Sequence, residues 1–109
     1  MTIGDFMIKL KSYEHFETLK QEHTVFLFSA DWCPDCRFIE PFLDELETRY
    51  SMMNFVYVDR DKFLELCEAY NIYGIPSFLA FKNNILLNSF ISKIRKTKTE
   101  ITQFLDTVK

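Results

Sequence analysis

Cys33 and Cys36 stand one helical turn apart in "SADWCPDCRF", residues 29–38, directly after the only tryptophan, Trp32. Two thiols at that spacing serve three chemistries: part of a metal-ligand set, a structural staple, or a dithiol that exchanges electrons with disulfides. A staple across so short a loop removes little chain entropy. A tetrahedral metal site needs four ligands, and Cys67, His15 and His23 show no ligand spacing, so no metal and no cofactor is expected. Electron exchange is the reading that the neighbours support. The run "TVFLFSA" (24–30) reads as a strand buried on both faces, followed by a helix that opens at the cysteines. Cys33 then sits where unpaired N–H groups and the positive end of the helix dipole favour a thiolate. Cys36 follows one turn in, on the same face, so the sulfurs can approach bonding distance. Pro34 suits a first helical turn, where its missing N–H costs nothing. Cys33 is the expected nucleophile, Cys36 the resolving thiol, and Trp32 an apolar wall for a substrate peptide.

The elements that must hold this pair follow from hydrophobic spacing. Phe6 to Leu10 reads as a short strand. Ser12 caps a helix with Tyr13, Phe16 and Leu19 inward. The helix at the cysteines carries Phe38, Ile39, Phe42, Leu43, Leu46 and Tyr50 as its apolar stripe, with Pro41 kinking it rather than ending it. "NFVYVD" (54–59) is a second core strand, and Asp61 is the expected cap of a helix with Phe63, Leu66, Cys67 and Tyr70 inward. "SFLAFK" (77–82) and "ILLNSFI" (85–91) form a hairpin across Asn83-Asn84, since Asn tolerates positive φ. Thr97 and Glu100 form a capping box for a last helix that buries Ile101, Phe104, Leu105 and Val108. The order β-α-β-α-β-α-β-β-α predicts an α/β fold: a central mixed sheet of about five strands, parallel at first and closed by antiparallel edge strands. About four helices cover both faces in three layers.

At 109 residues, 48% hydrophobic, with no repeat or linker, residues 1–109 read as a single domain, expected to act as a monomer. The net charge of −3, from 13 basic and 16 acidic residues, argues against nucleic acid or an anionic membrane as partner. The basic run from Lys93 to Lys98 reads as a solvated loop, His15 and His23 as solvent-exposed, and Cys67 as a small core residue. No segment reaches the roughly 20 apolar residues of a membrane span. Met1 to Leu10 shows no export signal, and three cysteines make no secreted disulfide framework, so a cytoplasmic location is expected.

Taken together, "ADWCPDCR", Pro41 eight residues after Cys33, "VDRD", and "YGIPSF" followed by "FKN" resemble the thioredoxin family over nearly the whole chain. The resemblance implies a thioredoxin-like fold and a Cys33-Cys36 redox-active disulfide. It also implies a cis peptide at Ile75-Pro76 packed against that disulfide, and a substrate groove around Trp32, Pro34, Asp35, Ile75 and Pro76. Implied partners are disulfide-containing client proteins or small disulfides, and an electron donor of the thioredoxin-reductase flavoprotein type.

This chain departs from the family's pattern at several positions. The dipeptide between the cysteines is Pro34-Asp35. Ser29 replaces a common tryptophan, and Asn84 and Ser92 stand where glycines are typical. Leu27 occupies the place of a buried aspartate that helps deprotonate the resolving cysteine, so resolution by Cys36 is expected to be slow at neutral pH. Asp35, with Arg37 as its nearest screen, is expected to raise the Cys33 pKa. At ~7 Å a unit charge costs the thiolate about 0.6 kcal/mol in water and about 2.4 kcal/mol at an effective dielectric of 20. Two functions follow: a thiol-disulfide oxidoreductase, in the reductase direction, or a non-catalytic adaptor that binds a partner through the groove around Trp32 and Pro76. Keeping both cysteines favours the first.

Overall fold

The computed structural model describes residues 7–109; Phe6, assigned above to the first strand, lies outside the described residues. The elements are β1 (Ile8–Lys9), α1 (Tyr13–Lys20), β2 (Thr24–Ser29), α2 (Pro34–Arg49), β3 (Asn54–Asp59), α3 (Leu64–Ala69), β4 (Ser77–Lys82), β5 (Ile85–Phe90) and α4 (Lys98–Val108). Their order matches the sequence reading. The sheet runs β1-β3-β2-β4-β5, with β1, β2 and β3 parallel and β4 and β5 antiparallel. One expectation is corrected here. β4 is not an edge strand but pairs on both sides, and its first five residues are buried. Among the described residues no helix is long and apolar enough to cross a membrane.

All of β2 is buried, and its side chains alternate between two cores. Val25 and Leu27 pack with Ile39, Leu43 and Leu46 of α2 and with Ile101, Phe104 and Leu105 of α4. Phe26 and Phe28 pack with Phe16 and Leu19 of α1 and with Leu66 and Cys67 of α3. A period of two on a strand covered on both faces produces this division. Helix α2 runs on through Pro41. Asn83 and Asn84 both take positive φ in the β4-β5 turn, as their types allow. Ser12 and Thr97 cap their helices as read, the latter in a full capping box.

Four local expectations fail. Tyr13 is exposed, its ring meeting Phe63 edge-on at 5.3 Å. Phe38 is exposed beneath the guanidinium of Arg95, 4.5 Å from its ring centre. Asp61 does not cap α3, which starts at Leu64 behind Phe63 with no side-chain cap. Instead, the backbone carbonyl of Asp59 accepts from the Lys62 and Phe63 N–H groups, and its carboxylate accepts from the Asp61 N–H. His15 and His23 are half-buried rather than exposed, and the His23 Nε2 lies 2.7 Å from the Val108 carbonyl at the end of α4.

Residues 91–97 link β5 to α4 and lie against the loop before β4. The Tyr73 hydroxyl donates to the Ile91 carbonyl at 3.2 Å. Gly74 faces the Ser92 carbonyl so closely that an added Cβ would overlap it and approach the Lys93 Cα to 2.8 Å. Both obstacles are backbone, which yields little. Gly74→Ala is therefore expected to destabilise the protein by about 1–3 kcal/mol, read as a lower urea midpoint.

Candidate active site

The chain leaves β2 through Ala30 and turns at residues 31–33, where the Cys33 N–H donates to the Ala30 carbonyl at 3.2 Å. Cys33 is the N-cap of α2, with extended backbone, and Pro34 opens the first turn. The Cys36 N–H donates to Cys33 Sγ at 3.2 Å, so the cap acceptor is the sulfur itself. An N–H aimed at sulfur, at the positive end of a helix, stabilises negative charge there. Both thiols are free and buried, clustered with Ala30 and Ile75. Cys33 Sγ also lies 3.8 Å from the Ile75 carbonyl, and the Ile75-Pro76 peptide is cis.

The two thiols differ in environment. Burial pushes the Cys36 thiol up to about 12, and its hydrogen bond with Cys33 pushes the same way. The Ser29 hydroxyl and the Ala30 backbone N–H return part of that by favouring the thiolate. Leu27 lies buried within an apolar cluster, as its place in the run 25–28 suggests. Tyr57, half-buried and sharing the Ser29 hydroxyl, is likewise pushed up to about 12, chiefly by burial.

Trp32 is 60% exposed, and its Nε1–H donates to the Asp61 carboxylate at 2.8 Å, which explains why Asp61 is lost to α3. Hydrogen bonds from the Trp32 and Arg60 side chains hold the Asp61 carboxyl below its ordinary range. Pro34 is exposed, Asp35 and Ile75 half-buried, and Pro76 buried. Cys67 lies in the core half under α1 and α3, away from the pair.

The sequence reading missed the part played by the basic run 93–98. Arg95 Nε donates to the Asp35 carboxylate at 2.8 Å, so Arg95, not Arg37, answers the charge between the sulfurs. Lys98 pairs with Glu45 at 2.6 Å. Lys96 is buried, only 1% exposed. A signal for that existed: Lys96 precedes the capping-box Thr97, at the position where an apolar residue usually staples to N4, here Ile101. A lysine stem can fill such a position. Among the described residues no group of three or more His, Cys, Asp or Glu is arranged to hold a metal ion.

Two thiols within reach of one another, one poised at a helix N-terminus and one held neutral, define a dithiol-disulfide oxidoreductase as the class. Residues 6–107 match the thioredoxin family. Thioredoxin 1 of Plasmodium falciparum is 31% identical over 88 residues, which cover 78% of this chain and 85% of that protein. The mitochondrial thioredoxin-2 of Schizosaccharomyces pombe is 30% identical over 78 residues, covering 72% of this chain and 59% of that protein. A structure of Plasmodium falciparum thioredoxin superposes with a TM-score of 0.83 at 26% identity, over 94% of this chain and 100% of that one. The chain belongs to the thioredoxin family, whose members act on the disulfides of client proteins.

Two outcomes follow from these charges. Above pH 9 an unfolded chain sheds the Cys36 proton that the folded chain keeps until about 12. The reduced protein therefore loses stability as pH rises through that window, by roughly 1 kcal/mol per pH unit from this group. The disulfide form lacks the titrating thiol and retains only the smaller contributions of groups such as Tyr57; urea midpoints of the two forms against pH will show the difference. At the rim, Asp35→Asn is expected to make the disulfide easier to reduce, and Arg95→Gln harder, each by roughly 10–30 mV. The double variant should return close to the unaltered protein's potential, as measured against a glutathione buffer.

Proposed function

We propose that this protein is a disulfide reductase in which Cys33 is the nucleophile and Cys36 the resolving thiol. The Cys33 thiolate attacks one sulfur of a client disulfide, forming a mixed disulfide and releasing the first client sulfur as a thiolate. Cys36 then loses its proton and attacks Cys33 Sγ. The Cys33–client bond breaks, the second client thiolate leaves, and Cys33-Cys36 is the disulfide that remains. The client gains two electrons and the dithiol loses two. An external donor returns them, here assigned to a flavoprotein of the thioredoxin-reductase type. The observation that carries this reading is the cap geometry: Cys33 Sγ accepts the Cys36 N–H at 3.2 Å, beside the exposed Trp32.

The groove would be formed by Trp32, Pro34, Asp35, Ile75 and Pro76. A reducing compartment, the cytosol, suits a protein whose working form is the dithiol; the odd cysteine count supports that placement. The adaptor alternative uses the same groove but needs neither sulfur. The deciding experiment is reduction of insulin disulfides by dithiothreitol with and without the protein. Acceleration is expected, falling to background in Cys33→Ser. Cys36→Ser should instead accumulate a stable mixed disulfide on Cys33. Trapping on Cys36 in Cys33→Ser, with none on Cys33 in Cys36→Ser, would reverse the roles; no acceleration by the unaltered protein would leave the adaptor.

A further inference from the structure

Arg95 is held beside the dithiol by contacts that use only part of its guanidinium. Its loop, residues 91–97, is fixed from outside by the Tyr73 hydroxyl on the Ile91 carbonyl and by Gly74 against Ser92. It is also fixed from within. The Lys96 Nζ donates to the Ser92 hydroxyl at 3.0 Å and the Ser92 carbonyl at 3.3 Å, and that hydroxyl donates to the Ile94 carbonyl at 3.3 Å. From this loop Arg95 reaches α2. Its Nε donates to Asp35 Oδ1 at 2.8 Å, and its guanidinium carbon lies 4.5 Å from the centre of the Phe38 ring. Asp35 stands between Cys33 and Cys36 in the chain, and Gly74 leads into Ile75, whose carbonyl is 3.8 Å from Cys33 Sγ. A guanidinium carries five N–H donors in a planar fork. Asp35 takes one, and among the described residues no hydrogen bond engages the four on the terminal nitrogens. The side chain is 51% exposed.

We propose that Arg95 is a specificity-determining residue: its terminal nitrogens bind the carboxylate of an Asp or Glu that flanks the cysteine attacked by Cys33, so acidic client segments are preferred. The inference rests on the reductase reading, with Cys33 as the attacking thiolate. A carboxylate matches the end of a guanidinium with two parallel hydrogen bonds, a geometry that neither an amide nor a hydroxyl reproduces with charge. Asp35 is neutralised by the Nε contact, so an arriving carboxylate does not meet an unpaired negative charge there. An exposed ion pair is weak chiefly because two long side chains must be ordered to make it. Here the stack on Phe38 and the fixed loop have ordered one of them already, which lowers that cost. Arg95 adds no step to the exchange. It favours the complex from which Cys33 attacks.

The test is reduction of disulfide-linked peptide dimers that are identical except for Glu or Gln on both sides of the cysteine, followed as released peptide thiol at low ionic strength. The reading is the Glu-to-Gln rate ratio of the unaltered protein divided by that ratio in Arg95→Gln. This quotient cancels both the intrinsic reactivity of each peptide and any change in the Cys33 thiolate. A quotient of about three to five is expected, and one near unity overturns the proposal. Arg95→Met gives the same reading if the glutamine variant does not fold. Removing Arg95 also bares the Asp35 charge, so the comparison is repeated in Asp35→Asn, whose amide oxygen can still accept from Nε. The quotient is expected to persist there; its fall to unity would assign the preference to repulsion by Asp35 and overturn the proposal. Arg37→Gln removes the same charge from an exposed position on α2 and is expected to keep the ratio. An equal loss in that variant would make overall charge, not Arg95, the selector, and the proposal fails. If both peptides are reduced with a quotient near unity, the assignment of Arg95 alone fails. If neither is reduced by the unaltered protein, the reductase reading fails and takes this inference with it.

Discussion

Strand β2 is the constraint on which the site depends. It is paired on both sides and covered on both faces, with Val25 and Leu27 facing α2 and α4, and Phe26 and Phe28 facing α1 and α3. A one-residue slip would exchange the two sets, placing each pair of side chains in the other core. The register of β2 is therefore strongly specified, and so is its end. Ala30 is the last residue of the buried run, and the turn from it to Cys33 is closed by a backbone hydrogen bond. The position of the first thiol is inherited from the packing of the core.

The site itself works by making two identical side chains unequal. Cys33 lies at the end of α2, where N–H groups converge. Cys36 lies three residues further in, beneath the surface, where burial holds it as a thiol up to about 12. Burial and the helix start thus give the two thiols different surroundings. That difference raises the question of how the second sulfur ionises. Charges near the opening differ in what they contribute, because solvent screens Asp35 and Arg95 far more than it screens Lys96. A buried charge is attenuated less, and a lysine ammonium loses its charge when it gives up a proton.

Reading the chain without its structure recovers what depends on neighbours within about four residues. Alternation and run length mark β2, β3 and β4; the 3.6-residue stripe marks α2 and α4. Thr97 with Glu100 announces a capping box, and Asn83-Asn84 a tight turn. The dithiol and its helix-start position are legible for the same reason. So is the burial of Cys67, from its place on the α3 stripe.

What was not legible are pairings between distant segments. Asp61 has the composition of a helix cap, yet its carboxylate is taken by Trp32, 29 residues earlier. Asp35 and Arg95 meet across 60 residues, and the same arginine lies over the ring of the exposed Phe38. Lys96 reads as one more solvated cation in a basic run, and becomes a buried one only because its loop is pressed against Gly74 and followed directly by a capped helix. Local pattern records the period of an element and the chemistry of its ends. Which side chain meets which across the fold is decided by how the elements stack, since the free energy of a salt bridge or a buried cation depends on distance and solvent exposure that no single segment contains.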